Sequence, residues 1–139
     1  MVKVRISDLS IGDWVQAETN GRLTPPMRVV SLGEGAGGWV NLMIDPEQGD
    51  PFEYEPSEIR GIPIALEIIE KIGFMAMGKE KKWQREAYWS NNGDCYITFT
   101  GNCWRVRSYL DLAVVCDVMY VHELQHALRL MNSNQEINL

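Results

Sequence analysis

The sequence HELQH at positions 122–126 is the stretch whose residue types and spacing could do chemistry. His122 and His126 are four residues apart, so on a helix they share a face and can bind one Zn²⁺. Glu123, beside the first histidine, has the position of a general base acting on metal-bound water. The pattern is typical of zinc-dependent hydrolases, with His122 and His126 as ligands and Glu123 as base.

A catalytic zinc ion also needs a third protein ligand. The chain has only these two histidines, and Glu136 is the only acidic residue after His126. No further histidine and no second glutamate-bearing helix follows the motif. The leading interpretation therefore assigns no catalytic, metal-binding or cofactor-binding residue and no cofactor. The zinc-dependent hydrolase is kept as the alternative.

A C-terminal helix must carry this motif, and we predict it from about Val118 to Met131 with Asp117 as its N-cap. At about 100° per residue, its apolar side chains form one stripe, which comprises Val121, Leu124, Leu128 and Met131. The two histidines lie nearly opposite that stripe. We therefore expect both imidazoles on the polar face, clear of the core.

A β-hairpin is predicted before this helix, with strands 95–100 and 103–107 joined by Gly101 and Asn102. In that register Phe99 faces Trp104, and Ile97 faces Val106. One face, the predicted core face, then holds Cys95, Ile97, Phe99, Trp104 and Val106. The other face holds Tyr96, Thr98, Cys103, Arg105 and Arg107, and we interpret it as exposed. On that face, Tyr96 with the two arginines could contact an anionic partner.

The first 60 residues show short strands with turns about every ten residues, which predicts a small β-barrel. Strands are expected at 14–18, 27–32 and 39–44, with a tight turn at 19–22. The segment Asp13–Val15 resembles the opening strand of an SH3-like barrel. A short helix is predicted at 63–72, with Pro63 at its first position and Gly73 after its end.

These elements predict an α+β fold in two regions. Residues 1–60 form an SH3-like small β-barrel. Residues 61–139 form a helix, a small antiparallel sheet and the C-terminal helix packed on it. The segment 112–116 is expected to be the strand that leads into this helix.

Charge and cysteine content limit the class of partner. The net charge is −6, which argues against broad nucleic-acid binding because an acidic surface repels phosphate. A nucleic-acid accessory protein stays a third hypothesis, using the basic run Lys79 to Arg85 with Arg105 and Arg107. The three cysteines lack Cys-x-x-Cys spacing, so we predict neither a disulfide framework nor a zinc knuckle. With no signal peptide or membrane span visible, the expected location is the cytoplasm.

Three segments resemble a family of small, uncharacterised proteins frequent in Bacteroides-type bacteria, often in prophage or other mobile-element settings. They are LSIGDWV (9–15), GIPIALEIIEKIGF (61–74) and, most specifically, YVHELQHALRL (120–130). In that family the last segment commonly reads Tyr-Val-His-Gln-Leu-Gln-Asn. Glutamine cannot act as a base there, and asparagine is a poor zinc ligand. The resemblance therefore implies kinship and a packing role for the helix, without an activity.

The leading interpretation is a non-catalytic interaction or accessory module whose partner is an unknown protein. Trp39, Trp83 and Trp89 are candidate exposed aromatic contacts, although each also fits a core position. The sequence indicates neither the oligomeric state nor the biological process.

Overall fold

The computed structural model describes residues 4–33, 39–43, 50–80, 85–90, 95–108, 114–131, 133 and 137–139. The chain divides into two compact units, Met1–Ile62 and Pro63–Leu139. The described strands form antiparallel sheets and the C-terminal segment is helical, so the fold is α+β. No helix in these ranges combines the length and apolar character needed to cross a membrane.

The described residues of the first unit form a curled half-barrel with six strands. The strands are β1 (Trp14–Thr19), β2 (Arg22–Leu23), β3 (Met27–Leu32), β4 (Val40–Met43), β5 (Phe52–Tyr54) and β6 (Ile59–Gly61). Their order is β2-β1-β3-β4-β5, and β6 also pairs with β1. Single 3-10 turns at Ile6–Asp8 and Pro56–Glu58 precede β1 and β6.

Turn chemistry explains the first hairpin. Thr19 pairs with Arg22, and the two residues between them have positive φ, 52° at Asn20 and 76° at Gly21. Asn-Gly favours this two-residue turn, because both residues tolerate the left-handed region. The predicted turn at 19–22 is therefore confirmed.

The core of the first unit comes from alternate residues of its strands. The buried cluster consists of Leu9, Val15, Ala17, Met27, Val29, Val40, Leu42 and Ile59. Immediately before β1, the fully buried Asp13 accepts a hydrogen bond from the Ser10 N–H at 2.7 Å. The Arg28 guanidinium lies 4.9 Å from the centre of the Trp14 ring. These contacts hold the LSIGDWV segment against the start of the sheet.

Among its described residues, the second unit contains a five-stranded meander and two helices. Its elements are α1 (Leu66–Lys71), β7 (Met75–Glu80), β8 (Arg85–Trp89), β9 (Cys95–Phe99), β10 (Trp104–Ser108), β11 (Val114–Val118) and α2 (Val121–Leu130). The strand order is β11-β10-β9-β8-β7. The apolar stripe of α2 is confirmed at Val121, Leu124 and Leu128, which are all buried.

The hairpin of β9 and β10 has the predicted register, with Phe99 opposite Trp104 and Ile97 opposite Val106. Gly101 in the turn has a φ of 110°, where glycine is favoured. The prediction for Phe99 was wrong, because its side chain is 46% exposed at the end of its strand. The centroid of its ring still lies 5.1 Å from the centroid of the Trp104 ring.

Both predicted helices start later than expected. Helix α1 begins at Leu66 rather than at Pro63, because Pro63 forms a β-bridge with Tyr120 and the Ile64 N–H donates to the Met119 carbonyl. These bonds hold the preceding residues in an extended conformation. The C-terminal end is as predicted, with Gly73 at a φ of 93°.

The N-terminus of α2 needs a second correction. Val118 is the last residue of β11, and Asp117 lies within that strand, so Asp117 is not the N-cap. Tyr120 is the N-cap instead. The strand expected at 112–116 runs from Val114 to Val118, and Leu112 lies outside the described residues.

Candidate functional site

The first imidazole of the HELQH motif is buried. The His122 side chain is only 3% exposed, and its ring stacks on that of Tyr120, with centroids 5.9 Å apart and planes 10° from parallel. His126 is partly buried. The prediction that both histidines lie clear of the core was therefore wrong for His122. Helical periodicity locates one apolar stripe, but it does not predict contacts with residues outside the helix, such as the stacking of His122 on Tyr120.

Glu123 has a structural role in this arrangement. Its Oε1 accepts hydrogen bonds from the backbone N–H groups of Met119 and Tyr120, each at 3.0 Å. The carboxylate thus reaches back from the first turn to satisfy donors at the helix start, as in a capping box. Its negative charge is also favourable at a helix N-terminus. The residue predicted as a possible general base therefore helps to hold the strand-to-helix junction.

The two histidine rings lie close to each other on α2. Their ring centroids are 6.0 Å apart and their planes are inclined by 76°. Within the described ranges, no group of three or more His, Cys, Asp or Glu side chains is placed to hold a metal ion. Glu136, the only acid that follows the motif, lies outside these ranges. The geometry thus brings together two of the three side chains that a zinc site requires.

The second predicted site lies on the sheet face that carries Arg105 and Arg107. Arg105 forms a two-point ion pair with Asp117 on β11, with Nε–Oδ1 at 2.9 Å and Nη2–Oδ2 at 3.2 Å. Hydrogen bonding from Arg105 lowers the pKa of Asp117, and the same contact raises the pKa of Arg105. Arg105 is therefore engaged within the sheet rather than presented freely to an anion.

This sheet face is also less exposed than predicted. Tyr96 and Thr98 are each only 3% exposed. The Trp89 ring packs against Tyr96 with centroids 5.4 Å apart, which shields the phenol. The prediction that Tyr96 and Thr98 lie on an exposed face was therefore wrong. Of the basic run, Lys79 lies in β7 and Arg85 in β8, while residues 81–84 lie outside the described ranges.

The three cysteines are free thiols. Cys95 is buried in β9, and Cys103 lies beside Thr100, whose Oγ1 is 3.1 Å from the sulfur. Burial raises the pKa of the Cys116 thiol, and the charges of Asp117 and Glu123 act in the same direction. A raised pKa disfavours the thiolate, which is the nucleophilic form of cysteine.

Exposed aromatic side chains occur in the first unit. Trp39 is 46% exposed just before β4, and Phe52 is 54% exposed at the start of β5. Trp89 is half-buried, and Trp83 lies outside the described residues. Phe52 was not singled out by the sequence, because its strand is only three residues long. The sequence feature that could have indicated an exposed Phe52 is its position next to Pro51 in an acidic segment.

No protein-family model matches the chain, and neither the curated proteins nor the solved structures contain a significant match.

Proposed function

We propose that this protein is a non-catalytic interaction module whose partner is another protein. The observation that carries the proposal is the double hydrogen bond to Glu123, which gives the reactive residue of the HELQH motif a structural role. Stacking of buried His122 on Tyr120 gives the first histidine a comparable role. Exposed Phe52 and Trp39 supply the kind of aromatic surface that protein interfaces use.

We further propose that the first unit is an SH3-like barrel. The pairing of β1 with both β3 and β6 supports this, as does the 3-10 turn between β5 and β6. Kinship with the Bacteroides-type mobile-element family is part of the same proposal. It is supported by the sequence segments 9–15, 61–74 and 120–130.

A zinc-dependent hydrolase is the competing function, because His122 and His126 do approach each other on one helix. Metal analysis of protein purified without a histidine tag separates the two functions. The interaction module predicts far less than one zinc per chain in the wild type. Stoichiometric zinc that is lost in both His122→Ala and His126→Ala would favour the hydrolase. Glu123→Gln is the matched control, since it leaves both imidazoles in place.

The nucleic-acid alternative has a separate test. If Arg107 and the basic run bind nucleic acid, a DNA column will retain the protein at low salt and release it as the salt concentration rises. We expect no retention at about 0.15 M salt because of the net charge of −6. Retention that falls steeply with salt would contradict the protein-partner proposal.

A further inference from the structure

Strand β5 is an open edge of the first sheet. Within the described part of the chain it pairs with β4 on one side and ends the strand order on the other. An edge strand presents backbone N–H and C=O groups in the spacing that an added strand requires. Extended peptides bind such edges through main-chain hydrogen bonds, and alternate side chains give the specificity.

The cross-strand rows show what an added strand would meet. Val29, Leu42 and Phe52 form one row across β3, β4 and β5, and the first two are buried while Phe52 is 54% exposed. Opposite residues in neighbouring strands share a face. An aliphatic side chain on an added strand opposite Phe52 would therefore extend this row and cover the ring.

The middle residue of β5 faces the other way. Glu53 lies between Phe52 and Tyr54 and is exposed, so a residue opposite Glu53 would stand beside its carboxylate. Asp50, two residues before the strand, and Glu55, directly after it, are exposed as well. None of these three carboxylates belongs to an ion pair of the described residues. The sequence from 45 to 58 contains no lysine or arginine.

We infer that β5 is the docking edge for an extended, basic segment of the partner protein, in which apolar residues alternate with lysine or arginine. The apolar residues lie opposite Phe52 and Tyr54, and the basic residue between them lies opposite Glu53. This inference rests on the proposed function, since it names the partner chemistry of the interaction module. Charge complementarity identifies the occupant, and exposed Phe52 supplies the anchor.

Fluorescence polarisation with a labelled Val-Lys-Val-Lys-Val-Lys-Val peptide tests the inference. Phe52→Ala should weaken binding about tenfold, because it removes an anchor side chain. Glu53→Gln should weaken binding about threefold and reduce its dependence on salt. Leu23→Ala is the matched control, since Leu23 is 46% exposed on the short edge strand β2. It should bind the peptide as the wild type does.

Two further peptides separate strand addition from general attraction to an acidic protein. A Val-Glu repeat of equal length should not bind, and a version of the basic peptide with its inner valines replaced by proline should bind at least fivefold more weakly, since proline lacks the N–H donor. Equal affinity of the wild type and Phe52→Ala for the basic peptide would overturn the inference. Equal affinity of the basic and proline peptides would also overturn it.

Light scattering after gel filtration addresses the other possible occupant. A concentration-dependent dimer that Phe52→Ala abolishes would make a second copy of this chain the occupant and overturn the assignment to a partner protein. A monomer over the same concentration range supports that assignment. Metal content measured on the same preparations keeps the two proposals separate. Stoichiometric zinc counts against the non-catalytic function, whereas unchanged peptide binding by Phe52→Ala counts against the docking edge alone.

Discussion

Replacing Glu123 by alanine should destabilise the second unit by about 2 kcal/mol. The substitution removes two hydrogen bonds from backbone N–H groups to a carboxylate, each with a net value of about 0.5–1 kcal/mol where water can compete. It also removes a negative charge from the first turn of α2, which is worth about 0.3–1 kcal/mol. Glu123→Gln retains an acceptor oxygen and loses only the charge, so we expect a loss of about 0.5 kcal/mol.

Urea denaturation followed by far-UV circular dichroism measures these free energies of unfolding, and amide hydrogen exchange shows where the loss occurs. The N–H groups of Met119 and Tyr120 should exchange faster in Glu123→Ala than in Glu123→Gln. Glu123→Ala with wild-type stability would refute the capping role. Equal losses for the two variants would show that the hydrogen bonds contribute nothing beyond the charge.

Three other perturbations test the fold. Leu124→Ala should lower the unfolding free energy by about 2–4 kcal/mol because Leu124 is fully buried. Leu130→Ala, at a 77% exposed position of the same helix, should change it by less than about 0.5 kcal/mol. Similar losses in the two variants would contradict the orientation of α2. Because the pKa of Asp117 is lowered in the folded protein, its stabilising effect is complete above the unfolded pKa and is lost as the pH falls below about 4. Acid titration should therefore show a smaller loss in Asp117→Asn than in the wild type, although a modest one since both partners are over one-third exposed. Gly21→Ala should lower the unfolding free energy by about 1 kcal/mol through its positive φ, and a more stable variant in thermal melts would contradict the turn assignment.

Local sequence preferences correctly predicted the turns and the helix face, because their geometry depends on a few neighbouring residues. The Asn20-Gly21 turn and the turn at Gly101 each need positive φ, which their sequences favour. The second turn fixed the register of the hairpin, so Ile97 was correctly placed opposite Val106. The periodicity of α2 likewise identified Leu124 as a core residue.

Long-range contacts explain the errors. Aspartate is a preferred residue type at a helix N-cap. Asp117 lies within β11 instead, where Arg105 on the neighbouring strand binds its carboxylate. Pro63 has the preferred residue type for a helix start, but its bridge with Tyr120 keeps the chain extended. Neither partner is adjacent in sequence, so propensity alone could not reveal it.

In the candidate site, too, the local sequence predicted some features and missed those that depend on residues outside the helix. Spacing correctly placed His122 and His126 near each other on one helix. His122 is buried and stacks on Tyr120, which precedes the helix, and Glu123 binds N–H groups that also precede it. Neither contact follows from helical periodicity. Phe52 is 54% exposed on β5, which ends the strand order of the described residues.

We infer that the HELQH segment stabilises the start of α2 and does not bind a catalytic metal. Nuclear magnetic resonance of the two imidazole side chains during a zinc titration tests it most directly. We predict that the His122 signals keep their positions through several equivalents of zinc, because its buried ring remains stacked on Tyr120. Signals of both His122 and His126 that shift together and saturate at one equivalent would contradict the account.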